Sequence, residues 1–368
     1  MDAYIEKMAK AIIHYSTDVK PGERVLIRAT SPAGQPLAQV LYQEALRTGA
    51  YAFTYIHMSD ENSLAMEATD NLDLLAAPNP MLELMYQTCD VVIRVDASEN
   101  PSALSDYPTE LQRARGKSAG AILKIQMERE GNGSMRRCST LFPTQGYAQA
   151  AGMSLQQYER FVYHACKLHL DDPVAGWLAL SKEQQRLVDW LQGKKYLKVT
   201  GKNIDMEMSI EGRTFINSNG KANFPSGEIF TGPVEDSVNG WVNFTYPAYY
   251  GGNRVDGVSL EFKDGVVVKA TAEKNEAFLL AAIDSDPGAR RLGEFAIGTN
   301  RDIQRFTGSI LFDEKIGGTV HMALGQGYPH TGSVNKSSIH WDMICDMRDG
   351  GEIWVDGELF YRNGEFVV

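Results

Sequence analysis

Residues 317–348, GGTVHMALGQGYPHTGSVNKSSIHWDMICDMR, contain three of the seven histidines of the chain and two segments typical of β-strands. Residues 338–344 combine β-branched and aromatic residues that favour strands, and residues 319–324 form a second strand-like segment. Because successive side chains of a strand alternate between faces, His340 and Asp342 share one face and Trp341 points to the other. Such nitrogen and oxygen ligands suit zinc, cobalt, manganese or a related divalent ion. An H-x-D pair alone is weak evidence, and a structural His–Asp hydrogen bond is the alternative interpretation.

The sequence around this stretch also favours β-structure. Apolar and polar residues alternate over residues 204–210, a period of two that indicates a strand. Asp264-Gly265 and Asp356-Gly357 separate short apolar segments and predict two-residue hairpin turns, and Asn363-Gly364 predicts a further turn. One helix is expected over residues 273–283. Residues 196–368 are therefore predicted to form a β-rich α+β domain with a curled antiparallel sheet.

The first half of the chain has a different pattern, in which predicted strands alternate with predicted helices. Strands are expected at residues 24–28, 50–57, 90–95 and 120–126, and helices at residues 33–48 and 80–88. Asp2 is a candidate cap for a first amphipathic helix, and capping boxes that begin at Ser154 and Ser181 predict two later helices. Strand–helix–strand units favour parallel pairing. Residues 1–195 are therefore predicted to be a three-layer α/β domain with a largely parallel sheet.

The composition and short motifs exclude several classes of protein. Lysine and arginine total 36 against 47 aspartates and glutamates, a net charge of −11 that argues against nucleic-acid or anionic-membrane partners. Residues 29–34, ATSPAG, lack the glycine-rich dinucleotide fingerprint, and no Walker A sequence occurs. The four cysteines have no C-x-x-C spacing, and neither a signal peptide nor an apolar run of membrane-spanning length is evident. We expect a cytoplasmic protein with reduced thiols.

Three carboxylates upstream of residues 317–348 are further candidates for chemistry. Glu228 follows a glycine- and proline-rich loop, and Glu294 lies among small and apolar residues where an unpaired charge would be costly. Glu314, in the sequence LFDEK, is either a ligand or part of a charged turn. For His164 and His169, packing or solvated positions are the favoured interpretation, since no acidic residue is suitably spaced. His330 is expected on an exposed loop.

Several ordered motifs across residues 200–350 resemble peptidase family M29, the thermophilic-type metalloaminopeptidases. The motifs are G-x-x-N-F-P-x-G-E-I-F at 220–230, L-G-E-F-A-I-G at 292–298, L-F-D-E at 311–314, H-M-A-L-G at 321–325 and N-K-S-S-I-H-W-D-M-I at 335–344. The resemblance implies an exopeptidase that uses two divalent ions (Zn, Co, Mn or Mg) to remove amino-terminal residues from peptides. It also implies a homodimer whose active sites lie in an enclosed cavity.

The resemblance assigns roles to individual positions. The implied metal ligands are Glu228, Glu294, Glu314, His321, His340 and Asp342. Glu314 precedes His321 by seven residues, a wider spacing than the family pattern, and the stretch between His321 and His340 is shorter than in the best-known members. Tyr328 matches the active-site tyrosine and is a candidate oxyanion donor. Glu294 is the preferred bridging carboxylate.

Alternatives exist at this point for both the mechanism and the class of protein. Glu228 or Glu294 could be the general base or simply a ligand. Trp341 is expected in the core rather than against substrate. A non-catalytic protein that binds a metal or small ligand on the same fold, or a metallohydrolase of another specificity, are the alternatives to an aminopeptidase.

Overall fold

In a computed structural model, which describes residues 3–368, the first of two structural units is built on a five-stranded parallel sheet. This unit extends to Gly176 and also includes Gly220–Pro225. Strands and helices are numbered in chain order through both units. The strands, in sheet order, are β2 (Tyr51–Ile56), β1 (Arg24–Ala29), β3 (Val91–Asp96), β4 (Arg136–Leu141) and β8 (Asn223–Phe224).

Nine helices of the first unit, together with a π turn at Ile12–Ser16 and a 3-10 turn at Pro32–Gly34, connect these strands. The helices are α1 (Ala3–Ala11), α2 (Gln35–Arg47), α3 (Glu61–Ala68), α4 (Leu72–Ala76), α5 (Pro80–Thr88), α6 (Thr109–Lys117), α7 (Gly120–Gly131), α8 (Gln145–Ala150) and α9 (Leu155–Ala165). The predicted α/β class and parallel sheet are confirmed, as is the capping box of Ser154 and Gln157 on α9.

Two local predictions for this part of the sequence are wrong, and one lies outside the described residues. The strand predicted at residues 120–126 is the first half of helix α7, in which Leu, Lys, Gln, Met, Glu and Arg, all strong helix formers, outweigh a short apolar run. Ser181 does not begin a helix, because helix α10 (Pro173–Leu191) already runs through it. The proposed Asp2 cap lies outside the described residues.

The second unit, Trp177–Asn219 with Ser226–Val368, is dominated by antiparallel sheets. Its larger sheet contains, in order, β14 (Val266–Thr271), β13 (Ser259–Lys263), β10 (Asn239–Asn243), β6 (Ile204–Ser209), β5 (Tyr196–Gly201), β18 (Glu352–Val355), β19 (Glu358–Arg362) and β20 (Glu365–Phe366). The second sheet contains β17 (His340–Asp346), β16 (Thr319–Gly325), β15 (Leu292–Gly298), β9 (Glu228–Thr231) and β7 (Ile216–Ser218). The other elements of this unit are a two-stranded ribbon of β11 (Ala248–Tyr250) and β12 (Asn253–Val255), most of helix α10, helices α11 (Glu276–Ile283) and α12 (Ile310–Asp313), and a 3-10 turn at Pro329–Thr331.

The turns and the core explain why this half of the chain folds as the sequence predicts. In the Asp-Gly and Asn-Gly turns at 264–265, 356–357 and 363–364, both central residues have positive φ, which matches the right-handed twist of the paired strands. One hydrophobic core extends through the unit and buries Val199, Phe295, Trp341 and Phe360. Trp341 is therefore a core residue, as expected. Among residues 3–368, no helix is both long enough and apolar enough to cross a bilayer.

Candidate metal centre

Three neighbouring strands of the second sheet align most of the candidate ligands on one face. Asp342 on β17 pairs with Ala323 on β16, which in turn pairs with Glu294 on β15. Because side chains alternate along each strand, His321 lies two positions from Ala323 on the same face, and His340 lies two positions from Asp342.

The fourth strand contributes one more ligand to this face. Glu228 on β9 pairs with Gly298, which is four residues beyond Glu294 on β15. Glu314 reaches the same cluster from the end of helix α12 rather than from the sheet. Asp313 fixes that end of the helix, since its buried carboxylate accepts hydrogen bonds from the Thr307 backbone, the Thr307 hydroxyl and the Gly308 backbone at 2.8, 2.9 and 2.7 Å.

All six candidate ligands predicted from the sequence converge in this cluster. They form three overlapping groups whose ligand atoms lie within 4.8 Å of one another: Glu228–Glu294–His321, Glu294–His340–Asp342 and Glu314–His321–Asp342. Glu294 belongs to the first two groups and His321 to the first and third. The arrangement therefore brings together residues that are widely separated in sequence.

Close ion pairs connect the groups. The Nε2 atom of His321 lies 3.4 Å from Glu228 Oε2 and 3.5 Å from Glu294 Oε1. The Nε2 atom of His340 lies 3.4 Å from Glu294 Oε2 and 3.6 Å from Asp342 Oδ1. The second nitrogen of His340, Nδ1, is 2.7 Å from the carbonyl oxygen of Gln326. A donor bond from Nδ1 to this carbonyl leaves Nε2 as the nitrogen that can bind a metal ion once it has lost its proton.

Burial and these ion pairs strongly shift the pKa values of the residues in the cluster. Burial raises the pKa of Glu228 to about 7 and that of Asp342 to about 6. Burial also acts to raise the pKa of Glu294, but interactions with His321 and His340 outweigh it and lower that pKa to about 2. Burial opposes the charged form of the two histidines, but the surrounding carboxylates raise the pKa of His321 to about 9 and that of His340 to about 10. Before a metal ion binds, both imidazoles are protonated at neutral pH.

The site has the properties expected of a centre for divalent ions. Its donors are carboxylate oxygens and imidazole nitrogens. Zinc, cobalt and manganese accept both kinds of donor, whereas magnesium prefers the oxygens. Two buried polar atoms of the cluster, Glu228 Oε2 and His321 Nδ1, make no hydrogen bond. A buried polar atom without a partner typically costs ~1–3 kcal/mol, and a bound ion relieves such a cost for the carboxylate oxygen. The residues present therefore fit divalent metal ions.

Lys315 is a member of this cluster that the sequence analysis did not identify. Its side chain is 0% exposed, its Nζ atom contacts Glu314 Oε1 directly, and it lies 3.8 Å from Glu228 Oε1. Burial alone would lower the pKa of Lys315, but Glu228 and Glu314 reverse this effect and raise it, so the ammonium group stays charged. The signal available in the sequence was a lysine directly after a candidate acidic ligand, in a segment that is otherwise largely apolar.

Tyr328 and His330 are aromatic residues that lie near the cluster. The ring of Tyr328 lies 5.2 Å from that of His340 and 5.6 Å from that of Phe230, measured between centroids. His330 is exposed, as expected, and its ring lies 5.5 Å from that of Tyr328. His164 and His169 are exposed residues of the first unit that stack on each other, which agrees with the expectation of packing or solvated histidines.

Fold and site together define a protein with a candidate metal centre on an antiparallel sheet. The sequence pattern of the family described as thermophilic metalloprotease (M29) matches residues 1–366. The chain belongs to this family. Aminopeptidase 2 from Geobacillus stearothermophilus is 30% identical, over 98% of this chain and 97% of its own length. Aminopeptidase T from Thermus thermophilus is 28% identical over the full length of both chains. The solved structure of wild-type AmpT from T. thermophilus superposes with a TM-score of 0.85 at 23% identity and covers 99% of both chains, which confirms the fold.

Proposed function

We propose that this protein is a metalloaminopeptidase that hydrolyses the amino-terminal peptide bond of peptides. The observation that carries this proposal is the convergence of six motif-matched ligands on one buried cluster. Membership of the M29 family and the names of the full-length relatives support it. The substrates are peptides with a free amino terminus.

We assign two divalent ions to the cluster, chosen among zinc, cobalt, manganese and magnesium. Glu294 would help to hold both ions, because it is shared by the groups that contain His340 and His321 and its two oxygens face these two imidazoles separately. Asp342 completes the His340 side, and Glu228 completes the His321 side with Glu314 beside it. When bound, such ions lower the pKa of a water molecule and polarise the scissile carbonyl.

The remaining chemical roles belong to Tyr328 and to one carboxylate. The Tyr328 ring lies against His340, and its hydroxyl is assigned as a donor to the oxyanion that develops at the scissile carbonyl. In the metal-free protein, burial raises the pKa of Glu228, whereas interactions with two histidines lower the pKa of Glu294. Both carboxylates lie in the cluster, and we propose that one of them transfers the proton.

The decisive experiment combines metal analysis with a panel of aminoacyl p-nitroanilides and matched N-acetylated compounds. Purified protein loaded in turn with Zn²⁺, Co²⁺, Mn²⁺ or Mg²⁺ should cleave the free-amino substrates and leave the acetylated ones intact. A protein that binds metal but turns over none of the panel would support the alternative of a non-catalytic binding protein. Cleavage of acetylated substrates at equal rates would indicate another hydrolase specificity.

A substitution in the cluster tests the metal assignment itself. Asp342→Asn keeps the size of the side chain and one acceptor oxygen but removes a negative charge beside the ions. We expect weaker binding of at least one ion, loss of most peptidase activity and an unchanged circular dichroism spectrum. The matched control is Asp349→Asn, which changes an exposed aspartate paired with Lys202. Unchanged stoichiometry and affinity in a folded Asp342→Asn protein would remove Asp342 from the ligand set.

We also propose that two copies of the chain form a homodimer. Strand β2 is an edge strand of the parallel sheet, and its segment Tyr51–Ile56 contains no charged residue. Tyr51 and Phe53 on this strand are 64% and 46% exposed. An unprotected, apolar edge of this kind favours pairing with another chain. Light scattering coupled to size-exclusion chromatography should give twice the chain mass, and Phe53→Lys should shift that mass toward the monomer.

A further inference from the structure

Lys315 introduces a fixed positive charge into the cluster proposed to bind two cations. Its backbone is held on both sides, since its N–H donates to Phe312 O at 3.0 Å and its carbonyl accepts from Asn300 N at 3.1 Å. The side chain is 0% exposed, and a buried ammonium needs carboxylate partners to offset the loss of hydration. The lysine is thus a built-in component of the site rather than a mobile surface residue.

The ion pairs of the ammonium lie on the side of the cluster that contains His321. Among residues 3–368, the ion pairs of Lys315 are those with Glu314 and with Glu228. Each of these carboxylates belongs to a group that includes His321. The group Glu294–His340–Asp342 has no ion pair to Lys315, and its two carboxylates face histidines instead.

This asymmetry has a direct consequence for metal binding. An ion bound by Glu294, His340 and Asp342 displaces no ion pair of Lys315. An ion bound in either group that contains His321 must draw Glu228 or Glu314 away from the ammonium and then remain close to its charge. With one divalent ion bound, the ion and Lys315 together place three positive charges against four carboxylates. A second ion raises the total positive charge to five. The repulsion is strong because buried charges are poorly screened.

We propose that Lys315 is an internal cation that competes with the second metal ion, so that the centre fills in two unequal steps. The inference rests on the proposed two-ion function. The first ion occupies Glu294, His340 and Asp342. The second binds on the His321 side, with Glu228 or Glu314, only when the metal concentration is high enough to displace the lysine. Full peptidase activity then depends on the concentration of free metal, with Lys315 as the residue that sets the threshold.

The test is a titration of the full-length, EDTA-treated protein with Co²⁺, followed by calorimetry, visible absorption and metal analysis of the dialysed protein. Wild-type protein should bind two ions, the second at least about tenfold more weakly than the first, the scale on which residues around metal ligands alter affinity. Lys315→Met keeps the length of the side chain and removes its charge. It should tighten the second step by at least about tenfold and leave the first within about twofold.

Two further variants make the test specific to this charge. Lys269→Met removes an exposed lysine of strand β14 and should leave both steps unchanged. Lys315→Arg keeps the charge and offers a fork of donors to the two carboxylates, so it should weaken the second step further. Thermal melts of each variant establish that it is folded. If Lys315→Met does not fold, the shift in Lys315→Arg decides the question.

Distinct results would overturn this inference and the function on which it rests. Equal affinity of the two steps in wild-type protein, or unchanged second-step affinity in folded Lys315→Met, would overturn the role of Lys315 while leaving the two-ion centre intact. The same holds for unchanged affinity in Lys315→Arg. Uptake of a single ion by both wild type and Lys315→Met, or of none, would instead overturn the two-ion centre together with the inference.

Discussion

At the scale of single residues, the role proposed for Tyr328 is in catalysis and not in metal binding. Its ring lies against His340, but it is not among the clustered ligand groups. Tyr328→Phe removes one proposed oxyanion donor and should lower kcat by on the order of 10²-fold with a modest change in KM. Steady-state kinetics with an aminoacyl p-nitroanilide, beside metal analysis, is the measurement. Metal content should be unchanged.

Tyr361→Phe is the matched control for Tyr328→Phe. Among residues 3–368 the buried Tyr361 hydroxyl has no hydrogen-bond partner, so Tyr361→Phe removes the same atom without removing a hydrogen bond. It should retain wild-type kcat. Full kcat in Tyr328→Phe, or an equal loss in both variants, would exclude Tyr328 as the oxyanion donor.

The two histidines predict a pH dependence of metal uptake. In the metal-free protein the pKa is about 9 for His321 and about 10 for His340, so both hold protons at pH 7. A metal ligand must be deprotonated, and each ion therefore competes with protons. Affinity should rise as pH increases from 7 toward 9, and binding at pH 7 should release protons. Calorimetry in buffers of different ionisation enthalpy measures this release, and heats that do not depend on the buffer would contradict the prediction.

At the scale of elements, the space for the metal ions is provided by a small residue in the middle strand. Ala323 on β16 pairs with both Glu294 on β15 and Asp342 on β17, so its methyl group lies in the row between two ligands. Ala323→Leu should fill that space and abolish uptake of at least one ion, at a cost of ~1–3 kcal/mol in the free energy of unfolding. Metal analysis and denaturant melts measure both effects.

The neighbouring residue on the strand provides the control for this substitution. Met322 is also buried but faces away from the ligands, and Met322→Leu nearly conserves volume. This variant should lose less than about 1.5 kcal/mol and bind metal normally. Normal metal uptake by Ala323→Leu would show that the ions do not depend on the space beside Ala323.

Residues 326–339 form the loop that leads to His340, and Asp286 anchors this loop. The carboxylate of Asp286 accepts hydrogen bonds from the Ser338 N–H at 2.8 Å, the Ser338 hydroxyl at 2.7 Å and the Ser337 hydroxyl at 3.0 Å. Burial acts to raise the pKa of Asp286, but these donors outweigh it and lower the pKa. A lowered pKa means that the stabilisation is present above the ordinary aspartate range and is lost as pH falls through the folded-state pKa.

Removal of this anchor should loosen the loop while leaving the metal ligands in place. Asp286→Ala should increase hydrogen exchange over residues 326–339 and reduce kcat/KM several-fold, because the loop carries Tyr328. Asp284→Ala is the control, since Asp284 pairs with Arg290 and has no hydrogen bond to the loop. Exchange in Asp286→Ala that equals that of the control would show that other contacts hold the loop.

At the scale of the whole molecule, the metal ions should contribute to stability. Four carboxylates are gathered in one buried cluster, and in the metal-free protein Lys315 and two protonated histidines are the cations that offset them. An ion that binds only the folded state adds ~2.7 kcal/mol at a concentration 100 times its Kd. EDTA should therefore lower the Tm by several degrees, and re-addition of the ion should restore it. A Tm unaffected by EDTA in protein shown to have lost its metal would contradict this prediction.

The sequence determined the local features of the fold because they depend on short-range geometry. The Asp-Gly and Asn-Gly turns follow from the positive φ that these residues tolerate. The shared face of His340 and Asp342 follows from the alternation of side chains along a strand. The family motifs identified the other four ligands, although nothing in their spacing showed how they would meet.

The tertiary structure decided what depends on pairing between distant segments. The register of β9, β15, β16 and β17 sets Glu228, Glu294, His321 and Asp342 on one face, and a shift of one residue would have turned a strand's ligands away. Residues 120–126 became helix because helical propensity over the whole of α7 outweighed a short apolar run. Lys315 is buried among the ligands because the anchored end of α12 places it there, and only the folded chain brings its ammonium to Glu228.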